Sequence, residues 1–388
     1  MFSKYQDKKI LSSLQKNPNW KLLKFSDVLR DETKNAKKIK KEEYLAQGSY
    51  PIIDQGKDYI AGFTNDREGV YDKSPLIIFG DHTRILKYID FPICIGADGI
   101  KLLKNVFSEE EVLTKYIYYY LRTVNIPNTG YNRHFKLLKE VVIPIPNIYL
   151  QKRIVFVLDK AQELIDKRKA QIEALDQLTK SVFLEMFGDP VANKTWERRP
   201  LKDITDVRDG THDSPKYVPS GYPLVTSKNI KNGKIDLSNV NYISEEDFIN
   251  INKRSKVDVG DIIMPMIGTI GNPIIVDEQP NFAIKNVALI KFNNPCVINI
   301  YIKYLLDSHY LDYILNKNKR GGTQKFLSLT DIRNMEIPLP PRDLQAKFSE
   351  IVKKVDSQKA ILHKSLTELE NNFNSLMQRA FKGELFND

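Results

Sequence analysis

Apolar residues recur at three- and four-residue steps along two long stretches of the chain, the spacing that gathers them on one face of an α-helix. In the first stretch they are Leu150, Ile154, Val157, Ala161, Ile165, Ile172, Leu175, Val182 and Met186. In the second they are Leu344, Phe348, Ile351, Val355, Leu366, Leu369, Phe373, Leu376 and Ala380. Both contain two successive steps of four, at Val157, Ala161 and Ile165 and at Ile351, Val355 and Lys359, which predicts one shared stutter in the heptad. Arg168 and Thr179 on the first seam answer Leu362 and Phe373 on the second, so the two helices are expected to pair. A helix of about 38 residues is about 57 Å long, and so long an amphipathic stripe needs a partner in water. Pro144, Pro146, Pro338, Pro340 and Pro341 suit an extended approach to each helix, while Gly188-Asp189-Pro190 and Gly383 mark the ends.

The two stretches belong to a repeat. IPIPNIYLQ at 143–151 matches IPLPPRDLQ at 337–345, and the same offset of 194 carries Leu175 onto Leu369, Ser181 onto Ser375 and Phe187 onto Phe381. The blocks ahead of the helices match more loosely: Trp20 with Asp27-Val28 resembles Trp196 with Asp203-Ile204, and PLIIFG at 75–80 resembles GDIIMPMIG at 260–268. YPIID, PICIGADGIKLL, YPLVTS, NPIIV and NVALIKF read as strands punctuated by Gly, Asn and Asp, with short helices expected at 108–122 and 297–315. The expected fold class is therefore α+β, two mixed α/β domains each followed by a long helix. The boundaries are 1–147 for the N-terminal segment with the first domain, 148–188 for its helix, 189–341 for the second domain and 342–388 for the last helix.

Composition adds limits. A chain of 388 residues exceeds what one core organises, in line with two domains. The net charge of +10 suits a polyanionic partner, although Lys-, Asn- and Ile-rich usage also follows from base composition alone. Cys94 and Cys296 are too few for a zinc site or disulfide framework and read as reduced thiols. The N-terminus has no continuous apolar run, which points to a cytoplasmic protein. Catalytic signatures are missing. The only Pro-Pro, Pro340-Pro341, lies between Leu339 and Arg342 rather than in an amino-methyltransferase motif, and neither a P-loop nor His-Glu-x-x-His occurs.

A Trp-headed domain, an Ile-Pro-Leu-Pro element, a Leu-Gln helix start and a long helix, all then repeated, resemble the specificity subunit of type I restriction-modification systems. The resemblance implies two target-recognition domains, each reading half of a split site in double-stranded DNA, and helices packed as an antiparallel coiled coil with pseudo-two-fold symmetry. It implies two methyltransferase subunits as partners, transferring a methyl group from S-adenosylmethionine to adenine N6, and motor-nuclease subunits that use ATP and Mg²⁺. This chain itself would bind no cofactor or metal and catalyse nothing.

Base readers need polar side chains on loops held by rigid strands. In the first domain the candidates are Asp81, His82, Thr83 and Arg84, with Arg84 able to grip guanine, and Tyr131, Asn132, Arg133 and His134. The segment 130–135 is matched with 321–326, which adds Thr323, Gln324 and Lys325. In the second domain the candidates are Thr211, His212, Ser227, Lys228, Asn229 and Thr269, while Lys319 and Arg320 suit phosphate contact. For each an ordinary solvated turn is the alternative. Trp20 and Trp196 are expected to anchor the domain frames. Two other functions stay open on the residues alone: a helical adaptor that never touches DNA, and an autonomous DNA-modifying enzyme with unrecognised motifs.

Overall fold

The computed structural model describes residues 5–386 apart from 16, 97, 131, 213, 232, 269 and 318–325. It divides into two compact units, residues 1–169 with 364–388, and residues 170–363.

The first unit begins with α1 (Lys8–Gln15), β1 (Trp20–Lys24), α2 (Phe25–Val28) and β2 (Leu29–Asp31). It continues through β3 (Tyr50–Ile53), β4 (Gly62–Thr64), β5 (Leu76–Gly80), β6 (Leu86–Ile89), β7 (Cys94–Ile95) and β8 (Ile100–Asn105). After α3 (Thr114–Arg122), α4 (Phe135–Leu138) and β9 (Val142–Pro146) the chain enters α5 (Ile148–Phe187). β1 pairs with β9, β2-β8-β5-β6 form an antiparallel sheet, and β3 lies between antiparallel β4 and parallel β7. β5 is buried on both faces, which is why LIIFG lacks polar alternation. Its Ile77 and Phe79 face a core with Tyr116 and Ile117 of α3, while Leu76 and Ile78 meet Ile53 and Ile95 beneath the second sheet.

The second unit repeats this order. Its elements are β10 (Arg198–Pro200), α6 (Leu201–Ile204), β11 (Asp206–Asp209), β12 (Tyr222–Val225), the hairpin β13 (Ile230–Lys231) and β14 (Lys234–Ile235), and β15 (Asn241–Ile243). Then come α7 (Glu245–Ser255), β16 (Ile262–Pro265), β17 (Ile274–Ile275), β18 (Ala283–Ile284) and β19 (Val287–Lys291). Last are α8 (Asn299–Leu306), α9 (His309–Lys317), α10 (Leu329–Arg333), β20 (Glu336–Pro338) and α11 (Arg342–Phe381). The sheets β10-β20, β11-β19-β16-β17 and β15-β12-β18 have the strand orders of their counterparts in the first unit. The run expected as one helix over 297–315 is two, because the Ser308 hydroxyl donates to Leu305 O at 2.6 Å and accepts from Tyr310 N, closing one helix and starting the next.

In the first unit, Ile154, Leu158 and Ile165 of α5 share a core with Phe373, Met377 and Phe381 of α11, and Lys169 pairs with Glu370 at 3.1 Å. In the second, Phe183 and Phe187 lie 5.5 and 5.4 Å from Phe348, and Lys359 reaches Asp176 at 2.5 Å. Early residues of one helix meet late residues of the other in each unit, which is antiparallel packing. The seam differs in detail from the expectation. Leu158 and Val352 are buried where Val157 and Ile351 are only half-buried, so Gln151, Leu158, Ile165, Ile172 and Thr179 run in unbroken steps of seven. Apolar residues occupy both positions of each doublet, so periodicity alone could not choose between them.

No helix among the described residues is long and apolar enough to cross a membrane.

Candidate nucleic-acid interface

In the first unit the loops that follow β3, β5 and β7 meet. The Asp81 carboxylate is buried and accepts the Phe135 N–H at 2.7 Å, while its carbonyl accepts the His134 N–H at 2.9 Å. His134 is fully buried, and its Nε2 accepts the Thr129 N–H at 3.3 Å. The proton therefore sits on Nδ1, which donates to Asp81 O at 2.9 Å. Arg84 adopts φ +63° and donates Nη1 to Ile126 O at 3.0 Å. The candidate segments 81–84 and 132–134 thus form one structure, in which Asp81, His134 and Arg84 hold the loops while Asn132 and Arg133 are exposed.

Gln55, which carried no mark in the sequence, braces the same cluster. Its Oε1 accepts His82 N at 3.2 Å, its Nε2 donates to Asp98 O at 3.1 Å, and its carbonyl accepts the exposed Thr83 hydroxyl at 2.7 Å. Gly99, at φ +86°, lies against this amide so closely that a Cβ there would overlap it. Lys38 pairs with Asp98 at 2.9 Å and, with a smaller contribution from Arg133, holds that exposed carboxyl below its ordinary range.

In the second unit the ends of β11, β12 and β18 converge. Thr211 N donates to Ile284 O at 3.0 Å, and Lys285 N donates to Val225 O at 2.9 Å. A Cβ on Gly210 would come within 2.5 Å of Ile284 O, so this approach of two backbones needs glycine. Asn229 faces inward: Nδ2 donates to Asp236 O at 3.2 Å and Asn239 O at 3.3 Å, and Oδ1 accepts Thr226 N at 3.0 Å. Ser227 is half-buried beside it and Lys228 is exposed.

His212 stands on the surface with its side chain 64% exposed, yet both ring nitrogens have partners: Nε2 meets Asp209 Oδ2 at 2.7 Å and Nδ1 meets Asn286 Oδ1 at 2.9 Å. The bond to Asn286, then that to Asp209, raises its pKa above the ordinary 6.5. Asp209 is itself nearly buried, and its second oxygen accepts from Arg254, a side chain 67% exposed. The other guanidinium N–H groups of Arg254 find no partner among the described residues. Asp209, Arg254 and Asn286 escaped sequence reasoning because they lie far apart along the chain.

Tyr131, Thr269, Lys319, Arg320, Thr323, Gln324 and Lys325 lie outside the described residues. The pairing of 130–135 with 321–326 shifts. α4 and α10 each start seven residues before β9 and β20, so the counterpart of His134-Phe135 is Ser328-Leu329. Trp20 is buried in its core, whereas Trp196 is half-buried and donates Nε1 to Phe187 O at 2.8 Å.

A sequence profile described as the type I restriction modification DNA specificity domain matches twice, over residues 17–175 and 193–371. The chain is 23% identical over 368 residues to the EcoR124I/EcoR124II specificity subunit of Escherichia coli, covering 89% of this chain and 88% of that one. It is 23% identical over 426 residues to the MjaVIII specificity subunit of Methanocaldococcus jannaschii, covering 99% of this chain and 97% of that one. Its fold is similar to that of the type I restriction-modification S subunit from M. genitalium, with a TM-score of 0.53, 18% identity and 100% coverage of both chains.

Proposed function

The chain belongs to the type I restriction modification DNA specificity family, and from that membership we propose that it selects the DNA sequence on which partner subunits act. The supporting observation is duplication at two levels. One strand order occurs twice, and in each copy polar loops gather at the ends of one corresponding pair of strands, β3 and β7 in the first and β12 and β18 in the second. Each copy reads one half of a split site, and the long helices α5 and α11 fix the distance between the half-sites.

The domains are assigned to 1–147 and 189–341, and the spacer helices to 148–188 and 342–388. Thr83, Asn132, Arg133, His212 and Lys228 are the described candidates whose exposure suits contact with bases or phosphates. Asp81, Arg84, His134 and Asn229 serve the reading by holding the loops. The chain works in the cytoplasm and catalyses no step. Two methyltransferase subunits transfer a methyl group from S-adenosylmethionine to adenine N6, and motor-nuclease subunits cut unmodified DNA.

The test is to assemble the chain with its methyltransferase partner and map methylated adenines on genomic DNA. A bipartite motif with a constant gap is expected, and a continuous motif would overturn the reading. Binding of the complex to its site should also weaken steeply with salt, as contact with phosphates requires.

A further inference from the structure

The recurring Leu-Gln at the start of each long helix has a structural use. Gln151 and Gln345 stand 194 residues apart and are both fully buried. Gln151 Nε2 donates to Pro146 O at 2.9 Å and to Glu111 O at 3.2 Å, while Oε1 accepts the Leu113 N–H at 2.9 Å. Gln345 Nε2 donates to Pro340 O at 2.8 Å and to Cys296 O at 3.2 Å, while Oε1 accepts the Ile298 N–H at 2.9 Å. The three bonds repeat to within 0.1 Å.

In both units this amide joins the same three segments: the end of the proline-rich stretch, the residues leading into α3 or α8, and the first turn of the long helix. Leu113 and Ile298 are apolar N-caps that make no side-chain capping bond, and the glutamine oxygen accepts their backbone N–H instead. Tyrosines complete the bracket. Tyr116 donates to Pro144 O at 2.7 Å and Tyr120 to Val142 O at 2.9 Å, as Tyr301 donates to Pro338 O and Tyr310 to Glu336 O, both at 2.6 Å.

Only Asn147 separates β9 from α5 and residues 339–341 separate β20 from α11, and the apolar core that each domain shares with its helix is non-directional, so each domain keeps some freedom to swing on its helix. Three further bonds from a buried side chain remove that freedom, since a swing would strip buried polar groups of their partners. We infer that Gln151 and Gln345 are positioning residues that set the angle of each recognition domain on its helix, and with it the gap tolerated between half-sites. This rests on the proposed reading of a split site.

The experiment uses the full chain assembled with its methyltransferase subunit, as wild type, Gln151→Ala, Gln151→Glu and Gln345→Ala, with methylation mapped on a library of gap lengths. Glutamate keeps the acceptor for Leu113 N but loses both donated bonds. Each variant is expected to retain the base sequence of both half-sites while its preference over gaps one base pair longer or shorter falls about tenfold. Unchanged gap preference in folded, assembled variants overturns the inference. So does loss of methylation in all three variants, which would make the glutamine a general support of the domain. A continuous wild-type motif would instead overturn the split-site reading itself.

Discussion

Asp209 shows how a buried acid can organise a surface. One oxygen holds His212 and the other Arg254, and the guanidinium keeps its remaining donors free among the described residues. Arg254→Ala should weaken DNA binding about equally for cognate and unrelated duplexes and reduce the slope of log affinity against log salt by about one, measured by anisotropy titrations. An unchanged slope would place Arg254 away from phosphate. His212 should titrate above 6.5 in an NMR pH series, and Asn286→Ala or Asp209→Asn should bring it down. Because its folded pKa is raised, its bonds stabilise the fold fully below the unfolded pKa, and that contribution is lost as pH rises through the folded value. His212 was visible in the sequence as a candidate, but its partners were not. Asp209, Arg254 and Asn286 come together only when β11, α7 and the turn after β18 are in place.

The existence and starts of both long helices were legible: α5 spans Ile148–Phe187 and α11 spans Arg342–Phe381, the second ending seven residues before the expected bound of 388. Their buried line was legible only to within one residue. At 157–158 and 351–352 the chain offers two adjacent apolar side chains, and tertiary packing buries the second of each in the core of its unit. Leu158→Ala should therefore cost about 2–5 kcal/mol, and Val157→Ala about 1 kcal/mol or less, in urea unfolding of the full chain. Equal losses would restore the stuttered seam. The proline-rich strands were correctly read as extended, and the structure adds the reason for their alternation. All of Val142–Pro146 lies in register against β1, and the carbonyls of Val142, Pro144 and Pro146 take bonds from tyrosine and glutamine side chains, on an edge where the prolines have no N–H to leave unsatisfied.

For the molecule as a whole, the duplicated strand order leads to an exchange experiment. Replacing residues 189–341 by the corresponding domain of another specificity subunit should change one half of the methylated motif and leave the other half and the gap unaltered, read by mapping methylated adenines. A change in both halves would show that the boundaries cut through a shared reading surface. The amino-acid sequence by itself determined the duplication, the two long helices, their proline-rich approaches and the family, because period, proline and spacing act through local chain geometry. Tertiary structure alone decided which residue of each apolar doublet is buried, which candidate side chains hold loops and which are exposed, and what the repeated glutamine does. Those properties depend on contacts between segments distant along the chain, such as Asp81 with Phe135 or Gln151 with Leu113, and local pattern carries no record of them.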